Sequence, residues 1–255
     1  MKYTKVAPAN ELGFALVTAG EGATHAEGVI DANGVEIIPP MTSILIDDIT
    51  GSTALVRTAR EHLFVGLENG PVDTSLFATT KGFQYAEPFR CGRAMVQVDD
   101  LRFYIDEEGN HLFGTSFEHA ETFHHDRAMV LEKGKYRIID TSGATVAEMH
   151  YYQVNPYSDM CWQVSEMKDD VFLSGFVDLN GKEVVPLIYT EITMYQPEVK
   201  RSRVVMMDKV GYLDEFGRVA VPIEYENGSI FDQGKAQVVL NGRSFLIDPN
   251  GNEVP

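Results

Sequence analysis

The chain has 255 residues, with 21 Lys and Arg against 38 Asp and Glu, which gives a formal net charge of −17. This charge argues against DNA, RNA or an anionic membrane surface as the default partner, because all three are bound through Lys and Arg. A basic partner is favoured instead. Apolar residues make up 44% of the chain, which is enough for a packed core.

Residues 1–11 contain no long apolar run, and no segment approaches the ~18 apolar residues of a membrane-spanning helix. We therefore expect neither a secretory signal nor a membrane span, and we expect the protein in the cytoplasm. The two cysteines, Cys91 and Cys161, form no C-x-x-C pair and are expected to be reduced thiols.

One pattern recurs along the whole chain: two apolar residues followed by Asp-x-x-Gly. Six copies are clear, and in a seventh Leu67 stands where the others have Asp. The pattern predicts a β-hairpin, because the Asp side chain can cap the turn and the glycine supplies its positive φ. The Asp residues are Asp31, Asp106, Asp140, Asp178, Asp214 and Asp248, and the glycines are Gly34, Gly70, Gly109, Gly143, Gly181, Gly217 and Gly251.

A short apolar segment lies between successive hairpins and also occurs seven times. It usually begins with a small residue, which suits a crowded position where strands converge. We call it the inner strand; the seven copies begin at Ala15, Ala54, Ala94, Ala128, Trp162, Val204 and Ala236. Each repeat of about 36 residues thus predicts about four short strands, without helical periodicity.

The two ends of the chain fit one repeat together. The last repeat stops at Pro255, and residues 1–6 read like the segment that follows Pro186 in an internal repeat. A closed ring explains this, since a shared repeat removes exposed strand edges. The sequence therefore predicts one domain, 1–255: an all-β, seven-bladed β-propeller closed by the N-terminal strand pairing into the last blade. The alternative is an open β-hairpin solenoid.

Residues 175–189 and 210–217 resemble the bacterial WG-repeat family, in which Trp-Gly precedes an apolar strand, an Asp-x-x-Gly turn and a Val/Ile-Pro ending. The family's later Phe-x-x-Gly-x-Ala stretch is matched by residues 231–236. No repeat keeps the Trp, and the Gly remains only at Gly28, Gly175 and Gly211. The resemblance implies β-repeat architecture and a binding or scaffolding role, and it supplies no catalytic residue.

The candidate binding residues lie mostly in the links that precede an inner strand. In a propeller these links and the Asp-x-x-Gly turns would share one face, partly basic on an acidic body. Trp162 is added because it replaces a small residue and would either pack in the core or line the channel mouth. The candidates are Arg90, Arg93, His124, His125, Asp126, Arg127, Trp162, Lys200, Arg201, Arg203 and Lys235.

Residues 117–126 hold three histidines and three carboxylates, but their spacing fits no established metal-ligand motif. On a strand, His119 would share a face with Glu121. Adjacent acids such as Asp169-Asp170 point apart on a strand and are expected in solvated turns. We predict no metal, no cofactor and no catalytic residue, since P-loop, Gly-x-Ser-x-Gly and His-Glu-x-x-His motifs are absent.

These observations predict a monomeric, non-enzymatic module that recognises a protein or peptide on its loop face. Two alternatives stay open. One is a glycan-processing enzyme or glycan binder with acids near the central channel. The other is an acidic inhibitor or immunity protein that neutralises a basic toxin.

Overall fold

A computed structural model describes residues 2–255 of the protein. These residues form seven antiparallel sheets of three or four strands, in which consecutive strands are neighbours. The prediction of an all-β chain is confirmed. The residues fall into two compact units, Met1–Phe123 and His124–Pro255.

The N-terminal unit has one complete sheet of four strands and two shorter sheets of three. A 3₁₀ helix at Gly22–Thr24 follows the second strand, and a helix α1 at Leu76–Thr79 follows the seventh. The strands are β1 Lys5–Val6, β2 Ala15–Ala19, β3 Ala26–Ile30 and β4 Glu36–Met41; β5 Ile44–Thr50, β6 Thr53–Thr58 and β7 His62–Gly66; β8 Tyr85–Ala86, β9 Ala94–Val98 and β10 Leu101–Ile105; and the short β11 His119–Ala120.

The C-terminal unit is more regular. After β12–β14 it contains three successive four-stranded sheets, β15–β18, β19–β22 and β23–β26. The strands are β12 Arg127–Glu132, β13 Lys135–Asp140 and β14 Thr145–Met149; β15 Gln153–Ser158, β16 Cys161–Lys168, β17 Val171–Asp178 and β18 Glu183–Tyr189; β19 Glu191–Ile192, β20 Ser202–Met206, β21 Lys209–Leu213 and β22 Val219–Tyr225; β23 Asn227–Gly228, β24 Ala236–Leu240, β25 Arg243–Ile247 and β26 Glu253–Val254.

The Asp-x-x-Gly turns form as the sequence predicts. All seven turn glycines have positive φ, between 74° and 84°. The Asp178 carboxylate accepts hydrogen bonds from the backbone N–H groups of Asn180 (2.9 Å) and Lys182 (3.0 Å), and the other aspartates of the pattern cap their turns in the same manner. The local hydrogen bonds of each capped turn therefore fix the reversal of the chain after the third strand.

At Gly175 on β17 the backbone of the next strand, β18, comes unusually close. A Cβ atom there would lie 2.5 Å from the carbonyl oxygen of Val185 and 2.6 Å from that of Pro186. The register of β17 against β18 shifts at the same place. Similar clashes arise at the glycines that share this position, Gly28 and Gly211. These are the repeats in which proline (Pro39, Pro186 and Pro222) lies five residues after the turn glycine. Glycine thus makes room for the bulged strand that carries the proline.

The N-terminal strand does not join the last sheet. Lys5 and Val6 of β1 pair with Thr18 and Val17 of β2, within the first sheet. The prediction that the N-terminal strand pairs into the last blade is wrong. The N-terminal segment resembles residues 189–192, and both segments supply the first strand of the sheet that follows them: β1 in one case and Glu191–Ile192 in the other.

The inner strands are the second strands of their sheets, and their small first residues are buried. Ala54, Ala94, Ala128 and Ala236 each have 0% of their surface exposed. In β20 the residue at this position is Ser202, which pairs with Leu213 as Ala236 pairs with Ile247. The expected inner-strand start at Val204 is therefore two residues too late. Over residues 2–255, no helix is long and apolar enough to cross a lipid bilayer.

Candidate interaction surface of the C-terminal unit

Tight turns lead into the inner strands of the C-terminal unit. His124 and Arg127 exchange two backbone hydrogen bonds, of 2.8 and 2.9 Å, around the two turn residues His125 and Asp126. Both turn residues have positive φ, 45° and 62°, as a type I′ turn requires. Asp232 and Lys235 enclose a turn of the same kind.

These links contact the Asp-x-x-Gly turn of the following sheet. The Arg127 Nε donates to the Asn180 Oδ1 at 3.2 Å, and the Arg201 Nε donates to the Pro249 carbonyl oxygen at 2.6 Å. The Ser158 hydroxyl likewise donates to the Glu215 carbonyl oxygen at 2.6 Å. We call these links and turns together the loop edge of the unit. Several of the predicted basic side chains hold neighbouring sheets together at this edge.

A groove of about 510 Å³ opens on the loop edge where the links entering β12, β16 and β20 meet the turn after β21. Two polar contacts hold its walls: Lys200 Nζ forms an ion pair with Glu215 Oε2 at 3.1 Å, and His124 Nδ1 lies 3.2 Å from Asp159 Oδ1. The lining residues are His125, Tyr157, Ser158, Asp159, Met160, Tyr195, Pro197, Lys200 and Glu215.

Two tyrosines give the groove an aromatic wall. The rings of Tyr157 and Tyr195 lie 5.4 Å apart, centroid to centroid. Desolvation, together with the neighbouring Glu215, raises the pKa of Tyr195 to about 12, so its hydroxyl stays protonated and donates to the Glu215 carboxylate at 3.4 Å. Asp159 and Lys200 leave 73% and 65% of their side chains exposed. An aromatic wall with exposed charges of both signs is suited to binding a peptide.

The sequence analysis found only part of this groove. His124, His125 and Lys200 were candidates, whereas Tyr157 and Tyr195 were missed. A signal was present: an aromatic residue precedes five of the links, and it is Phe at Phe89, Phe123 and Phe231 but Tyr at the two groove positions. The link at residues 196–201 is also two residues longer than those at 124–127 and 232–235.

Other candidates in this unit lie away from the groove. Arg203 is in the middle of β20 rather than in a link, and its Nε donates to the Gly228 carbonyl oxygen at 2.7 Å. Lys235 Nζ donates to the backbone oxygen of Pro255 at 2.7 Å. Neither side chain lines the groove.

Trp162 packs in the core. It is 2% exposed and contacts a cluster of buried residues that includes Met129, Ile138 and Val177. Its indole Nε1 has no hydrogen-bond partner within residues 2–255. Of the two roles predicted for Trp162, packing in the core is the one that this buried side chain has, and it offers no accessible surface to a partner.

Arg90 and Arg93 belong to the N-terminal unit, where they flank a turn formed by Cys91 and Gly92. Arg90 lies 3.7 Å from the Asp48 carboxylate, and Arg93 donates to the Cys91 carbonyl oxygen at 2.6 Å. Both cysteines are free, and burial raises the pKa of the Cys161 thiol to about 11.

His119 shares a strand face with Glu121, as predicted, and its Nε2 lies 2.5 Å from the Glu121 carboxylate. Its Nδ1 lies 2.6 Å from Arg102. Among the residues that the structure describes, no group of three or more His, Cys, Asp or Glu side chains converges as a metal site would require. The carboxyl groups whose pKa values are displaced, such as Asp140 and Asp248, are displaced downward, the opposite of what a general acid needs.

The family model of the WG containing repeat matches residues 80–101, 175–198 and 211–243. These three segments match the WG repeat. The matched segments include Gly175, Gly211 and the groove residues Tyr195, Pro197 and Glu215. No curated protein matches the chain.

Solved structures resemble the chain at low identity. A crystal structure of the eukaryotic initiation factor is 11% identical, with a TM-score of 0.51 over 99% of this chain and 76% of that one. Hsv2p of Kluyveromyces lactis is 9% identical (TM-score 0.44; 96% and 92% covered), and the Pan2 WD40 domain of Neurospora crassa is 11% identical (TM-score 0.35; 99% and 90% covered). The first of these supports a shared fold and says nothing of function.

Proposed function

We propose that the protein is a non-enzymatic interaction module that binds a peptide segment of a partner protein in the groove of its C-terminal unit. The observation that carries this proposal is the groove itself, with Tyr195 on its wall and the Lys200–Glu215 and His124–Asp159 contacts holding its rim. A basic residue of the partner would stack on Tyr195 and pair with the exposed Asp159 carboxylate. The net charge of −17 supports a partner of this kind.

Photo-crosslinking from the groove tests this proposal. A benzophenone amino acid replaces Met160, which lines the groove and is 36% exposed, and in a control it replaces Val219 on β22, which is 50% exposed. We expect one protein from the native host to crosslink at position 160 and not at 219. The double variant Asp159→Lys, Lys200→Glu should abolish this crosslink while circular dichroism stays unchanged.

The same experiment separates the alternatives. Failure to crosslink any protein at position 160, together with binding on a glycan array, would favour the glycan reading and overturn the proposal. A partner retained by the double variant would bind elsewhere on the chain. A highly basic toxin as the partner, with affinity that falls steeply in salt, would identify the chain as an inhibitor.

We also propose that the seven sheets are the blades of one closed β-propeller. The supporting observations are seven sheets and seven turn glycines at spacings of 34–39 residues, six of them in Asp-x-x-Gly turns. Small-angle X-ray scattering provides the test: a compact chain of this length has a radius of gyration of about 18 Å. A clearly larger value would favour the open solenoid. That the protein is a cytoplasmic monomer stays a prediction.

A further inference from the structure

The hairpin of β16 and β17 is longer than its neighbours. From Trp162–Val177 to Lys168–Val171 it contains seven residue pairs, whereas β12 and β13 contain five from Ala128–Ile139 to Glu132–Lys135. Two further pairs extend a hairpin by about 7 Å.

The end of this hairpin has two open edges. The outer strands of its sheet reach no further than Ser165, which pairs with Gln153, and Ser174, which pairs with Tyr189. Beyond them, residues 166–168 and 171–173 pair only with each other within residues 2–255. We call residues 166–173 the projecting ribbon. A free edge presents unpaired backbone N–H and C=O groups, and folded proteins usually cover or blunt such edges.

One face of the projecting ribbon is apolar and exposed. Met167 and Phe172 are directly opposite each other and are 54% and 37% exposed. Tyr152, 68% exposed, packs against Phe172 with ring centroids 5.2 Å apart. The hydroxyls of Ser165 and Ser174 lie 2.8 Å apart at the base of this face. Three large apolar side chains beside two open strand edges form a surface that a partner strand can cover.

The charges of the projecting ribbon point to the kind of partner. Glu166, Asp169 and Asp170 outnumber the single Lys168, in a chain with a net charge of −17. A second copy of the chain would bring like charges together, which opposes self-pairing. A basic strand brings opposite charges together instead.

We propose that the projecting ribbon is a docking edge for an extended segment of a partner protein in which Lys or Arg alternates with apolar residues. The segment adds a strand to the ribbon, its apolar side chains cover Met167 and Phe172, and its basic side chains pair with Asp169 and Asp170. Cys161, at one end of β16, follows the groove residue Met160, whereas the ribbon lies at the opposite end of that strand. The ribbon is therefore a surface separate from the groove.

The test uses the full chain and a library of synthetic peptides of about ten residues that alternate Lys or Arg with Val, Ile, Phe or Tyr. Affinity is measured by fluorescence anisotropy, and the bound amides are located by hydrogen exchange. We expect members of the library to bind, to protect the amides of residues 166–173, and to lose affinity in high salt. The same peptides with Glu in place of Lys should not bind.

Two variants and a matched control sharpen this test. Replacing residues 167–172 by Asn-Gly leaves five residue pairs, as in the neighbouring hairpins, and should abolish binding without loss of fold. Asp169→Asn with Asp170→Asn should weaken binding at least about tenfold. Met207→Ser, at the tip of the neighbouring β20–β21 hairpin, where Met207 is 85% exposed, should leave the affinity unchanged.

The contrary results are equally definite. The proposal is overturned if no library member binds below about 1 mM, if the shortened hairpin binds as well as the full chain, or if analytical ultracentrifugation shows a dimer that depends on residues 167–172. Crosslinking at position 160 is independent of all of these, so the proposed function of the groove stands or fails separately.

Discussion

The two units use the same repeat with different results. In the C-terminal unit every Asp-x-x-Gly turn keeps its aspartate, and three sheets in succession have four strands. In the N-terminal unit the sheet β5–β7 stops at three strands. Leu67 takes the place of the capping aspartate there, and it is 1% exposed in a cluster with Ile37, Ile38 and Val56.

The loss of the fourth strand leaves a different surface. The chain after β7 forms α1 instead, and a groove of about 580 Å³ lies between this segment and β5 and β6, with Ile44, Phe77 and Lys81 among its lining residues. Gly70 keeps its positive φ of 80°, so the glycine alone does not produce the return strand. The sheet β8–β10 keeps its capping Asp106 and also stops at three strands. The return strand therefore depends on the contacts that follow the turn and not on the aspartate or the glycine alone.

Replacing Leu67 by the Asp of the other repeats should destabilise the N-terminal unit rather than stabilise it. Leu67→Asp places a carboxylate in an apolar, buried site, and we expect a loss of about 3–5 kcal/mol of unfolding free energy at pH 7. Hydrogen exchange should show the loss in residues 2–123 first. Leu67→Met, which nearly conserves volume, is the control and should cost less than about 1.5 kcal/mol. A stable Leu67→Asp protein would show that the site is open to water.

Gly175→Ala tests the close contact between β17 and the return strand β18, a contact that the three-stranded sheet β5–β7 lacks. The added Cβ meets two carbonyl oxygens of β18, so we expect a loss of about 2 kcal/mol and a fall in Tm of about 6 °C. Gly66→Ala on β7 is the matched control, because a Cβ there meets no atom within 4 Å. Differential scanning calorimetry measures both. Equal effects of the two substitutions would argue against a steric role for Gly175.

Asp126→Gly should stabilise the C-terminal unit. Asp126 has a φ of 62° at a turn position where the N-terminal unit has Gly92 and the last sheet has Gly234. Removing the Cβ relieves left-handed strain of about 1 kcal/mol. Thermal unfolding should show a rise in Tm, whereas Asp126→Ala should give none. A fall in Tm in Asp126→Gly would mean that the Asp126 side chain stabilises the fold by more than the strained backbone at this residue destabilises it.

Acid should weaken both units alike, because both contain capped aspartates. Hydrogen bonds to the carboxylates, above all from the Val35 N–H to Asp31 and from the Asn252 side chain to Asp248, hold the pKa values of these groups below the usual range. The folded pKa is the lower one, so this stabilisation is complete above about pH 4 and is lost as the pH falls through the folded values.

Denaturant unfolding from pH 7 down to about pH 2 measures this dependence. Asp31→Asn and Asp248→Asn should each reduce the loss of unfolding free energy in acid, because the amide oxygen still accepts the turn hydrogen bonds and does not titrate. If the double variant loses as much unfolding free energy in acid as the original protein, the acid sensitivity comes from other groups.

Much of the fold could be predicted because its information is local. The turn at residues 178–182 is encoded by one aspartate and one glycine, and the inner strands by short apolar runs with a small first residue. The buried Leu67 was visible as a departure from the repeat, but its consequence was not, because a missing strand depends on what else can cover the core.

The groove was predicted only in part for the same reason. Lys200 lies in a basic stretch and His124 in a histidine cluster, so both could be noticed, whereas Tyr195 is one aromatic residue among many. Arg127 and Arg201 were predicted at the loop edge, but their use in tying one sheet to the next depends on where the following turn lies.

The sequence by itself determined the repeat, its hairpin turns and the all-β class, because hydrogen bonds and φ preferences within a few residues settle them. Only the tertiary structure decided that Trp162 is core, that β1 pairs with β2, and that residues from three successive sheets line one groove. Those outcomes depend on packing and register between segments far apart in the chain, where many arrangements satisfy the same local pattern.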